Sequence, residues 1–239
     1  MLEAVLWGGL AAASLLIGYY LAIRGPSQRA TGLIMGIGAG ALVAAIAYEL
    51  VPESILGGWG MGLAFGLGAV AFFVGDWVVD HRGGEDRKDI AGSAESGSGA
   101  AIFIGTLLDN IPESIILGMG LALGGAVNLA FLTAVFVSNL PEGVAGSINL
   151  AAAGNPRHKI LTMWLLLVAV SALCAGLGYW LVGRLPEADG RIAQAFAAGA
   201  MLTMLADAMM PEAFEHGGKT VGLFTALGFL LAAVLSVVG

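Results

Sequence analysis

The sequence predicts an all-α, polytopic membrane protein, and three observations carry that prediction. Of its 239 residues 58% are hydrophobic and 11% charged, with a mean hydropathy of +0.90; a soluble domain covers itself with about 25% charged residues. The apolar residues gather into eight runs, near 2–23, 31–57, 59–79, 100–123, 127–153, 159–182, 190–214 and 218–238, each long enough for the ~20 residues that cross a bilayer. The basic residues avoid those runs. Together the runs consume nearly the whole chain, which reads as a single transmembrane domain over 1–239. No room is left for a nucleic-acid-binding domain or a secreted enzyme. The one cysteine, Cys174, lies inside an apolar run, so disulfides and thiolate clusters are excluded and it reads as core filler.

The first run has no basic residue before it and Arg24 behind it, the reverse of a cleaved leader, so it reads as a span. Orientation follows from the connections. Those after spans 1, 3, 5 and 7 hold Arg24, Arg29, Arg82, Arg87, Lys88, Arg157, Lys159 and Lys219, eight of the ten basic residues. By the positive-inside rule these connections face the cytoplasm and both termini lie outside. The connection over about 80–99 is the one long loop, acidic and then Ser/Gly-rich, and reads as a solvated linker, with metal collection by His81 and the neighbouring acids as the alternative. Gly32, Gly36 and Gly40 form a small-residue stripe, as do Gly62 and Gly66, and both predict close helix packing. A homodimer through such faces is open at this stage. Met201, Met204, Met209 and Met210 read as apolar filler, and the glycines at 36–40 lie inside a span, where no phosphate loop belongs.

Charge inside the membrane is the most informative feature. Beyond the first two residues of each span lie eight acids, Glu49, Glu53, Asp76, Asp109, Glu113, Glu142, Asp207 and Glu212, and no Lys or Arg. A charged side chain at the bilayer centre costs about 2.5–3.5 kcal/mol on insertion scales, and a basic partner normally offsets it. Here the chain supplies none, so protonation, a wet cavity or an external cation must do so. Asp76 and Glu53 also fit the interface, where they would reach water; Glu113 and Glu142, near mid-span, do not.

Four of these acids follow proline: Pro52-Glu53, Pro112-Glu113, Pro141-Glu142 and Pro211-Glu212. On span 4, Asp109 and Asn110 stand four and three residues before Glu113, on one helix face; on span 5, Ser138 and Asn139 repeat that spacing before Glu142. Each proline frees a carbonyl, at Leu108 and Val137. Two such helices face to face would offer an oxygen-rich cage for a divalent cation. Prolines that kink for packing, with polar residues bonded to the broken turn, explain one such helix but not a mid-span Glu on both. Glu49 and Glu53 fall towards the outer end of span 2, Asp207 and Glu212 towards the inner end of span 7, so that acids outline a route. Gly40-Ala41 through Pro52-Glu53 matches Gly199-Ala200 through Pro211-Glu212 in spacing but runs oppositely. This predicts inverted repeats, helices 1–3 against 6–8 with helices 4 and 5 central.

From the residues alone the function is transport of a divalent metal ion, with two alternatives: a proton-coupled carrier or proton channel using the isolated acids, and a non-transporting, metal-responsive membrane protein. An enzyme is not expected, because no nucleophile and base stand at useful spacing.

The paired Asp109-Asn110-Ile111-Pro112-Glu113-Ser114 and Ser138-Asn139-Leu140-Pro141-Glu142-Gly143, on adjacent spans in an eight-span chain with a long loop after the third, resemble the ZIP (Zrt-/Irt-like) divalent metal transporters of the bacterial type. The resemblance implies uptake of Zn2+ first, with Mn2+, Fe2+ or Cd2+ in some members, across the cell membrane into the cytoplasm. It implies Asn110, Glu113 and Glu142 as metal ligands, alongside Asp109, Ser138 and Asn139, with no cofactor beyond the transported ion. Three departures bear on selectivity. The family commonly has His at Asp109, His or Gln at Ser138, and Asp at Asn139; span 6 supplies no acid for a second metal. An all-oxygen set favours harder cations than imidazole does, although carboxylates also bind zinc.

Overall fold

A computed structural model of the protein describes residues 1–51, 58–84, 99–124, 126–184 and 187–238. Among them the regular structure is helical throughout: α1 (Leu2–Ile23), α2 (Gln28–Ala45), α3 (Trp59–Val79), α4 (Gly99–Gly124), α5 (Leu129–Ala152), α6 (Arg157–Val182), α7 (Glu187–Met204), α8 (Met210–Gly217) and α9 (Val221–Val238). Wider π turns follow α2 at Ile46–Leu50, α3 at Asp80–Gly84 and α7 at Leu205–Met209. Seven stretches are long and apolar enough to cross a membrane, the last being Gly190–Val237 at 48 residues. The chain is a multi-pass membrane protein.

The last stretch reverses. Gly218 takes φ +64° and is followed by the short 3-10 turn Gly218–Thr220, a conformation that glycine enters without a Cβ penalty. The packing against α2 fixes the direction of each half. Met209 lies beside Gly38 and Ala213 beside Gly32, so α8 descends past α2; Val221 lies beside Gly36 and Thr225 beside Gly40, so α9 climbs alongside it. The helical segments before and after Gly218 thus run antiparallel along α2.

The helices pack in matched sets: α2 against α9 and α3 against α7; α1 against α5 and α4 against α6; with α1 against α6 between them. The offset that brings Gly40 onto Gly199 also brings the π turn Ile46–Leu50 onto Leu205–Met209, so the two matching segments share an irregularity as well as a motif.

The glycine stripe of α2 behaves as expected. A Cβ at Gly36 would stand 2.8 Å from the Val221 side chain, and one at Gly40 would run into the Thr225 carbonyl oxygen. The other expectation fails. Nothing lies within 4 Å of a Cβ added at Gly62 or Gly66, because α3 packs through Ala64 and Gly68 and leaves Leu63, Leu67 and Val70 exposed. A small-residue spacing selects a helix face but not which face is covered.

Burial is uneven. In the most apolar 18-residue window of α5, 72% of residues are buried, against 28% for α3, although α5 is the less hydrophobic of the two. The outer helices owe their hydropathy to the bilayer, and α5 carries polar groups because protein surrounds it. Beside it, Trp164 of α6 is fully buried and donates its indole N–H to Ser147 Oγ at 2.8 Å.

Candidate metal centre

Helix α5 starts with a side-chain cap: Asn128 Oδ1 accepts from the Phe131 backbone N–H at 2.8 Å, satisfying one of the amides that a helix start leaves without a partner. Both α4 and α5 then run through their internal prolines, Pro112 and Pro141, without interruption. The carbonyls of Leu108 and Val137, four residues earlier, accordingly lack the proline N–H that would normally bond them.

All six expected ligands are buried. Asp109, Asn110 and Glu113 on α4 are each 1% exposed, and on α5 Ser138, Asn139 and Glu142 are 0%, 1% and 3% exposed. The small polar groups are tied to their own helices: Asn110 Nδ2 donates to Thr106 O at 3.1 Å, and Ser138 Oγ donates to Val135 O at 2.9 Å. The Asn110 amide oxygen and the Ser138 lone pairs are left to accept or to ligate. Asn139 differs, because neither end of its amide has a hydrogen-bond partner among the described residues. A buried amide without partners costs about 1–3 kcal/mol and is uncommon without a reason.

Among the described residues no three His, Cys, Asp or Glu side chains converge as a metal-holding group. Asp109, Glu113 and Glu142 are thus each buried without forming a closed carboxylate cage. Every buried charged side chain among the described residues is acidic: Asp76, Asp109, Glu113 and Glu142. Asp76, for which the interface was one of two readings, is 4% exposed and belongs to the interior.

The flanking acids sort along α2. A Cβ at Gly38 would stand 2.7 Å from Ser138 Cα, so α2 and α5 touch backbone to backbone at this level. Glu49 lies 11 residues further on, about 16 Å of helix, and Gly32, beside Ala213 and Gly217, lies six residues back, about 9 Å. Glu49 is half-buried and held by two neutral donors, Asn128 Nδ2 from the start of α5 and Ser236 Oγ from the last turn of α9. At the other end Glu212 Oε1 lies 3.0 Å from His216 Nδ1, and Asp207 is exposed. Glu53 and residues 85–98 of the long loop lie outside the described residues. His81 donates from Nδ1 to Trp77 O at 2.8 Å and stacks on the Trp77 ring, with centroids 4.1 Å apart.

Sequence reasoning passed over Asn128, Ser236 and His216. Asn128 had a signal, a capping residue directly before an apolar run, and His216 had another, the four-residue spacing from Glu212. Ser236 had none, since its contact spans the length of the chain.

No protein-family model matches the chain. A curated protein of Arabidopsis thaliana described as a "putative zinc transporter" is 30% identical over 205 residues, 79% of this chain. This chain is similar to that transporter. It spans about a third of the relative's length, 31%, and the likeness supports the resemblance to the ZIP transporters that the paired Pro-Glu motifs carry.

Proposed function

We propose that the protein transports divalent transition-metal ions into the cytoplasm, Zn2+ first, with Mn2+, Fe2+ and Cd2+ as further cargo. The observation that carries this reading is the one-sided burial of charge: four buried acids and no buried Lys or Arg among the described residues. No buried cationic side chain among the described residues would repel a metal ion there. Asp109, Asn110 and Glu113 on α4 and Ser138, Asn139 and Glu142 on α5 are the residues assigned to the ion, Asn139 through its otherwise unpartnered carbonyl. Glu49 and Glu53 serve at the entrance, and Asp207 and Glu212 at the exit. The open arrangement of the three carboxylates suits cargo, because a site that releases its ion must not hold it too well. The ion is substrate, and no further cofactor is required.

In this reading the chain crosses the cell membrane eight times, with both termini outside and one transporter domain built on inverted repeats. The reversal at Gly218, the matched helix pairs and the two equivalent π turns support it. A homodimer is compatible with it.

The test is uptake into proteoliposomes of Zn2+, Mn2+, Fe2+, Cd2+ and Mg2+, beside Glu113→Ala and Glu142→Ala proteins that insert normally. Uptake that both substitutions abolish is expected; unchanged uptake in both sinks the assignment. The lack of a converging three-acid group among the described residues favours one second reading, a proton-coupled carrier working through its buried acids. Proton current that persists after every divalent metal has been chelated would select it.

A further inference from the structure

A cavity of about 260 Å³ opens between the ends of α1, α5 and α6, its first wall residue on α5, Ser147, standing five residues beyond Glu142. Ala22, Ile23, Ile148, Ala151 and Ile160 form its apolar walls, and Tyr19, Ser147 and Arg157 supply its polar groups. Two of those three are spoken for. Tyr19 donates its hydroxyl to Arg157 O at 3.2 Å, and Ser147 Oγ donates to Gly143 O at 2.6 Å while accepting from Trp164. The Arg157 guanidinium is exposed and has no acidic partner among the described residues.

The chemistry of this lining selects the ligand. Among the described residues no carboxylate lines the cavity, so a metal ion finds nothing there to hold it, and a guanidinium without an acid beside it among those residues attracts an anion. The walls are apolar and belong to membrane-crossing helices, so the ligand's other part must be greasy. The volume falls below the ~300 Å³ at which pockets begin to enclose a drug-sized molecule, so the cavity takes one end of a larger molecule whose remainder lies along the outside of the bundle. Arg24, which ends α1, and Lys159, one turn into α6, are both exposed and add positive charge at the same end. Basic pockets between membrane helices bind lipid headgroups in this way.

We propose that this cavity is a binding site for an anionic phospholipid, its phosphate on Arg157 and its glycerol and upper acyl chain against Ile23, Ile148, Ala151 and Ile160. The site contains none of the residues assigned to the ion, so its lipid binding is measured without the metal.

The experiment uses the full chain, stripped of lipid in detergent, with native mass spectrometry to count bound phosphatidylglycerol or phosphatidylcholine of equal chain length. A thermal-unfolding arm adds inorganic phosphate. Phosphatidylglycerol is expected to bind in preference to phosphatidylcholine and to raise Tm, which phosphate alone does not. Arg157→Gln should weaken phosphatidylglycerol binding about fivefold, the ~1 kcal/mol that one arginine contributes near an anionic surface, and Arg157→Lys should recover most of it. Ala151→Phe, at an exposed wall position, should block the cavity with Arg157 intact and give a similar loss. Equal binding of the two lipids, or unchanged phosphatidylglycerol binding in Arg157→Gln, overturns the proposal. So does full binding in Ala151→Phe, which would leave a surface charge effect without a site, and so does stabilisation by phosphate equal to that by lipid. If Ala151→Phe does not fold, the Gln and Lys variants decide.

Discussion

Among the described residues the Pro-Glu dipeptide occurs in two structural settings, and the contrast separates the centre of the molecule from its ends. Pro112 and Pro141 lie inside helices of 26 and 24 residues that continue through them, and the glutamates that follow are buried. Pro211 instead sits in the first turn of α8, directly after the π turn Leu205–Met209, and Glu212 is half-buried beside His216. A proline within an α-helix leaves the carbonyl four residues earlier without its partner. At Pro211 the backbone stays helical through the π turn, with Met210 N–H bonded to Leu205 O, so the same two letters fall in a regular α-helix in one setting and at a widened turn in the other. Depth along the helix, not the motif, decides which.

The largest expected effect breaks the comparison if it fails. Glu113→Ala or Glu142→Ala should lower metal uptake at least ~100-fold, about 2.7 kcal/mol, because each removes a buried carboxylate of the central region. Glu212→Ala should lower it only severalfold, because its carboxylate is half-buried and paired with a histidine. Equal losses, measured as initial rates per inserted protein, would erase the distinction between centre and mouth.

Pro141→Ala comes next and tests whether the freed carbonyl matters. The new N–H can bond Val137 O and complete the helix, so stability in detergent should rise by about 1–3 kcal/mol. Uptake should fall, since that oxygen would no longer face outward. A rise in stability with uptake unchanged would make the proline a packing device.

Much of this arrangement was legible in the sequence, and the limits have physical causes. The span edges of α1 and α3 were readable because hydropathy changes sharply where water begins. The six central residues were readable as polar groups because they interrupt apolar runs; their burial agrees, while the converging cage is not found among the described residues, since which faces of α4 and α5 meet depends on α1, α2 and α6 as well. The glycine stripes show the same boundary. Gly32, Gly36 and Gly40 pack closely and Gly62 and Gly66 do not, and no local pattern distinguishes them. Contacts such as Ser236 with Glu49, 187 positions apart, are set by topology alone.

A smaller effect probes the outer end. Asn128 both caps α5 and donates to Glu49. Asn128→Ala should cost about 1–2 kcal/mol, combining a lost cap with a lost hydrogen bond. Asn128→Ser keeps a capping oxygen on a side chain too short to reach Glu49, and should cost about half as much. Identical losses in thermal or denaturant unfolding would mean that the bond to Glu49 contributes nothing.

The smallest effect belongs to Pro211, and it is the control that gives the others their meaning. It follows directly on the π turn, where Met210 N–H bonds Leu205 O five residues back, and its fixed φ suits the helical backbone there. Pro211→Ala should change stability by less than about 0.5 kcal/mol, with a loss coming chiefly from greater freedom in the unfolded chain. Its carbonyl-freeing partner position lies in the π turn, where the bonding pattern is already shifted to a wider ring, so no new bond forms as it does at Val137. A stabilisation as large as that of Pro141→Ala would show that the π turn is imposed by the proline and relaxes without it. Near-neutrality would show that the turn is held by its surroundings, with Leu205 and Met209 buried against the core, and that the wide turns of α2 and α7 are features of the packing that the prolines merely accompany.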